Sequence, residues 1–183
     1  MSTTAAWATW AARGSSGAEL PGLRPLSPEA FRLFARLEAD NIPIMFHQGT
    51  SPFIYAPLAY AHPLTTDKVG MAFPNLTMVL AHLAHPWIAN VLRWFASTQT
   101  FGLTFLRSFT GLIRSGRGCS FLRMGRDGEN SFGSDWPVTT PQDNIDHLRG
   151  LSKYAKDHYL PSVPENEIEG IINRDAVEIL GID

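Results

Sequence analysis

The chain has 183 residues, a formal net charge of −2, 44% hydrophobic residues and 17% charged residues. That composition is ordinary for a folded domain with a respectable core, and it excludes global disorder and a general electrostatic attraction to nucleic acid. No apolar run approaches the roughly 18 residues of a membrane span, and the single cysteine, Cys119, excludes an internal disulfide and fits a reducing compartment.

Residues 1–18 carry Arg13 as their only charge and lack a basic stretch followed by an apolar run, so they do not read as a secretory signal. With Gly14, Gly17, Pro21, Gly22 and Pro25 following, residues 1–26 are expected to be irregular or disordered. Ordered structure is expected from residue 27 onward, as one domain over 27–183. Ser27 can cap a helix with Pro28 at its first position and Phe31, Phe34 and Leu37 on one face, running to about Asp40. Ile42-Pro43-Ile44-Met45-Phe46 is a short unbroken apolar run, which suits a strand buried on both faces of a parallel sheet, with His47 emerging at its end. Pro52, Pro57 and Pro63 make 49–63 a long loop. Thr65 or Thr66 is expected to cap a helix through Phe73, and Leu76–Ala81 forms a second buried strand that delivers His82. Strands alternating with helices in this way predict an α/β fold.

Residues 94–130 break the pattern. They show no clear period, contain Arg107, Arg114, Arg117, Arg123 and Arg126 without a lysine, and reach their first acid at Asp127. An arginine loop for phosphate or RNA is one reading and a solvated loop a commoner one. A third is that the stretch is a translated wrong frame: permitted codons for Met124–Asn130 also encode Glu-Trp-Gly-Val-Thr-Glu-Lys, and a shifted reading exists for 94–104 in a different phase. After it come Phe132-Gly133-Ser134-Asp135-Trp136-Pro137, then a helix opened by Thr140 and Pro141 with Ile145, Leu148 and Leu151 on one face. A last helix carries Ile168, Ile171, Ile172, Ala176, Ile179 and Leu180 and is stopped by Gly181.

Phe46-His47-Gln48-Gly49, Ala81-His82-Leu83-Ala84-His85-Pro86-Trp87 and Gly133-Ser134-Asp135-Trp136-Pro137, in that order, resemble the amidohydrolase superfamily. The likeness is to its amidohydrolase-related branch, which includes aminocarboxymuconate semialdehyde decarboxylase. The resemblance covers about 27–92 and 131–182. It implies a partial (β/α)8 TIM barrel, roughly strands five to eight, with His47 ending strand five, His82 strand six and Asp135 strand eight. It further implies a divalent metal, zinc by preference, held by His47 and Asp135, with His82 and Asp135 as the catalytic residues and His82 moving protons. The implied reaction is attack of a metal-activated water on an amide, ester or lactone, or decarboxylation of an unsaturated acid. The implied partner is a small-molecule substrate in a cytoplasmic setting, with no nucleic acid and no membrane.

The family's first-strand His-x-His pair occurs nowhere in the chain. Barrels of this type need about 250 residues, so the resemblance is to a C-terminal half. A non-catalytic remnant is therefore the alternative reading, and open strand edges would favour self-association into a homo-oligomer. His85 is a candidate for supporting the site or touching substrate, Trp87 and Trp136 for walling the pocket or filling core, and His62, His147 and His158 read as surface residues.

Overall fold

A computed structural model describes residues 8–10, 24–50, 58–87, 101–105, 130–136 and 139–181. Five strands form one parallel sheet in strict chain order: β1 (Ala8–Trp10), β2 (Ile44–His47), β3 (Met78–Ala81), β4 (Phe101–Phe105) and β5 (Asn130–Phe132). Parallel neighbours in sequential order are what repeated strand–helix units produce when every unit winds the same way, as in a barrel wall. The register pairs Ile44 with Met78 and His47 with Ala81.

The helix α1 (Pro28–Ala39) starts as its sequence predicts. Ser27 Oγ accepts from Ala30 N at 3.3 Å, and Pro28 occupies the first turn, where no N–H partner is required. Its buried face is Ala30, Phe34 and Leu37, with Phe31 half-buried beside it. Phe34 meets Phe46 of β2 edge-on at 5.7 Å between ring centres and Phe73 at 5.9 Å, so aromatic packing locks helix to sheet. All four residues of β3 are buried, which explains its unbroken apolar run: both faces of the sheet are covered there.

Several expectations need correction. α2 (Pro63–Ala72) is capped by His62, whose Nδ1 accepts from Leu64 N at 3.2 Å, so Thr65 and Thr66 lie inside the helix rather than before it. His62 is thereby no free surface residue: it is half-buried, and its ring lies 4.6 Å from that of Trp87. The single helix expected after Pro141 is two, α3 (Pro141–Arg149) and α4 (Leu151–Asp157), parted at Gly150. The last helix likewise divides into α5 (Glu165–Ile172) and α6 (Ala176–Ile179). Asn173 N–H closes the first on Glu169 O, and Asp175 Oδ1 opens the second by accepting from Val177 N and Glu178 N.

β1 falls within 1–26, and β4 and the start of β5 fall within 94–130, the two stretches read as irregular. The arginines of the central stretch, Cys119 and residues 14–23 of the stretch expected to be irregular lie outside the described residues.

Candidate functional site

The sheet delivers its polar side chains at one end. His47 is the last residue of β2, His82 the first after β3, and Asp135 the third after β5. The carboxyl ends of parallel strands are where barrels and open α/β sheets carry their chemistry.

The imidazoles of His47 and His82 lie side by side, 4.4 Å between ring centres. Asp135 is close enough for its charge and that of His47 to act on each other. In chain order β5 is three places from β2, a separation on the order of 14 Å in a flat sheet at the usual strand spacing. Asp135 stands beyond that strand, on the 133–135 segment that follows β5. The three motifs named these residues; the structure sets the His47 and His82 rings side by side and leaves Asp135 in electrostatic reach of His47.

Burial sets their protonation. It pushes His47 below the ordinary imidazole range, against a smaller upward pull from Asp135. His82 falls to about 4, first through burial and then through the neighbouring His47. Both rings are therefore neutral at pH 7, the state in which an imidazole nitrogen can ligate a metal or accept a proton. Burial pushes the Asp135 carboxyl up, partly offset by His47. His47 Nε2 is buried and has no hydrogen-bond partner among the described residues. A buried orphan nitrogen on a neutral ring, with a carboxylate in electrostatic reach, is the donor chemistry that a divalent metal uses. His47 and Asp135 thus fit two places of such a site. Among the described residues no group of three His, Cys, Asp or Glu is assembled to hold a metal.

His82 (φ 62) and Asp135 (φ 58) both occupy the left-handed backbone region, which side-chain-bearing residues adopt only when their surroundings hold them there. For Asp135 the hold is visible. Asn144, a buried residue of α3, donates from Nδ2 to Ser134 O at 2.9 Å and to Thr139 Oγ1 at 2.8 Å, tying the helix to the residue before the aspartate. Sequence reading missed Asn144. Its signal was there: positions 144, 148 and 151 share one helical face, and the other two are buried leucines, so an asparagine in that row needs partners.

The remaining candidates sort differently. Gln48 is buried, with Oε1 lacking a partner among the described residues, and so is Nδ1 of His85. Trp87 is half-buried against His62, while Trp136 is 69% exposed and fills no core. His147 and His158 are exposed, as expected, His158 stacking on Tyr154.

The fold resembles solved barrels. An uncharacterized TIM-barrel protein from Bordetella bronchiseptica superposes with a TM-score of 0.53 at 20% identity, covering 84% of this chain and 50% of that one. A protein from Lactobacillus casei, provisionally named a metal-dependent hydrolase, gives 0.59 at 17% identity, covering 84% of this chain and 43% of that one. The chain thus spans about half the length of these barrels. No curated protein matches it. The family model described as amidohydrolase matches residues 16–110, more than half of the sequence, running through β1's successor strands and past β4. With two histidines and an aspartate gathered at the strand ends of a partial TIM-type wall, and that match across most of the wall, the chain belongs to the amidohydrolase family.

Proposed function

We propose that the chain carries the C-terminal part of a metal-dependent hydrolase, with β2, β3 and β5 standing as barrel strands five, six and eight. The observation that carries this reading is the orphaned, buried Nε2 of His47, set beside His82 and within electrostatic reach of Asp135. His47 and Asp135 would hold a divalent metal, zinc by preference for an imidazole–carboxylate donor set. When bound, such an ion lowers the pKa of a water toward about 7 and polarises a carbonyl or carboxylate.

The protein's own groups do the rest. Neutral His82 is placed to take a proton beside His47, and Asp135 balances positive charge at the strand ends. Partial burial of both rings holds them in the neutral form. A small-molecule amide, ester or lactone in the cytoplasm is the substrate class; decarboxylation of an unsaturated acid uses the same groups.

Titrating Zn2+ into the purified chain, and into His47→Ala and Asp135→Ala, tests the assignment. Tight binding by the parent that is lost in both variants is expected; unchanged binding in both would sink it. A second reading, a non-catalytic remnant, is favoured by one observation: the described residues offer two donors where a catalytic site commonly uses three. Its signature is a soluble parent chain that binds no Zn2+.

A further inference from the structure

The two candidate histidines stand at the ends of neighbouring strands, and the segments that follow them meet at one point. Gly49, two residues after His47, has φ +96 and lies against the segment that follows His82. A Cβ at this position would stand 2.5 Å from the His85 carbonyl oxygen, 2.8 Å from His85 N and 3.0 Å from Ala84 C. All three are backbone atoms, so no side-chain rotation can make room. Hydrogen bonds flank the contact: Gly49 N–H donates to Ala61 O at 2.9 Å, and Thr50 N–H donates to His85 O at 2.8 Å.

We propose that Gly49 is a positioning residue for the His47/His82 pair: the missing side chain lets the loop after β3 dock on the loop after β2, and this docking sets the distance between the two rings. The inference rests on the reading of His47 and His82 as site residues and adds a residue that touches nothing reactive. Between His82 and His85 the chain holds two left-handed residues, His82 (φ 62) and Ala84 (φ 51), each carrying a side chain. Such a turn persists only under external constraint. Its exit is held by the Thr50 bond to His85 O, and that bond forms only if the 48–50 backbone can reach the 84–85 backbone. A methyl at 49 would push the two apart, releasing the turn toward ordinary backbone angles and swinging the His82 ring away from His47.

The test is the cross-relaxation contact between ring protons of His47 and His82 in the full chain, compared across the parent, Gly49→Ala and Gly181→Ala. Gly181 also has a left-handed φ, +63, but open space around it, so its alanine variant carries the backbone strain without the collision. The parent and Gly181→Ala should show the ring contact. Gly49→Ala should keep the helical content of the parent, lose the contact, and bind Zn2+ about 10- to 100-fold more weakly. A ring contact retained in Gly49→Ala, or absent from the parent, overturns the proposal. If Gly49→Ala does not fold, amide hydrogen exchange of the parent decides. Thr50 and Gly49 amides protected as strongly as those of β2 support the junction, and a freely exchanging Thr50 amide overturns it. Should the contact vanish in Gly49→Ala while no form of the chain binds Zn2+, the positioning role stands and the metal reading fails.

Discussion

At the scale of single residues, His82 makes the protein sensitive to mild acid. Folding holds its pKa at about 4, whereas the unfolded chain returns it to about 6.5. Between those values the unfolded state binds a proton that the folded state refuses. The contribution of the neutral ring is therefore full above pH 6.5 and is lost as pH falls toward 4, to an extent of roughly 3 kcal/mol. His47, also pushed down by burial, acts in the same sense. Asp135, pushed up from 3.8, acts oppositely, losing stability as pH rises from that value. Thermal melts from pH 7 to 4 should show a steady loss, and His82→Gln a shallower one. Equal slopes would contradict the burial of His82. Asn144 supports a second expectation. Replacing it with alanine strips Ser134 O of its donor, which should cost about 1–3 kcal/mol in urea unfolding, and should weaken Zn2+ binding through Asp135. A loss of stability without any effect on Zn2+ would confine Asn144 to a structural role.

At the scale of elements, helix ends follow local rules, and one departs from them. After α1, Asn41 (φ 53) takes the left-handed position, Ile42 N donates to Leu37 O at 2.8 Å and Asn41 N to Glu38 O at 3.2 Å, with Leu37 in the core and Ile42 packed against it. After α4 the same motif recurs, with Leu160 N on Ala155 O and Tyr159 N on Lys156 O, but a tyrosine at φ 56 sits where glycine or asparagine is usual. Tyr159 is 97% exposed and gains no burial in return. Tyr159→Gly should therefore raise stability by about 1 kcal/mol, read as a higher urea midpoint at unchanged slope. The start of α1, the strands β2 and β3 and the start of α3 were legible because cap, proline and apolar period agree there. The start of α2 was not, because a histidine cap carries no general signal and two threonines nearby carry a false one. The breaks at 150 and 173–175 were hidden because the apolar period continues across them while the backbone does not.

At the scale of the whole molecule, three short motifs in chain order named the candidate residues, and two of them, His47 and His82, stand side by side at neighbouring strand ends because the apolar runs before them form β2 and β3. β4 was not legible: its one-sided pattern of Phe, Gly, Leu, Thr and Phe lacks the aliphatic run of β2 and β3. Whether 94–130 is translated in its proper frame is decided by peptides from that stretch in a digest of the native protein, recovered at levels matching those from 27–87; their absence would favour the slipped frame. Among the described residues β1 and β5 each have a single sheet neighbour. If those edges are open in solution, they should pair between copies, and light scattering should show a mass that rises with concentration; a constant monomer mass would mean that the edges are covered. The pairing of His47 with Ala81 has a genetic consequence. Because side chains alternate along a strand, one codon added or lost within 78–81 would turn His82 to the opposite face or swap every side chain of β3 between the two covered faces, where it no longer fits. Length variation should thus be purged from those four positions and tolerated in loops such as 49–63, so an indel map of natural variants would trace the site without any assay of activity.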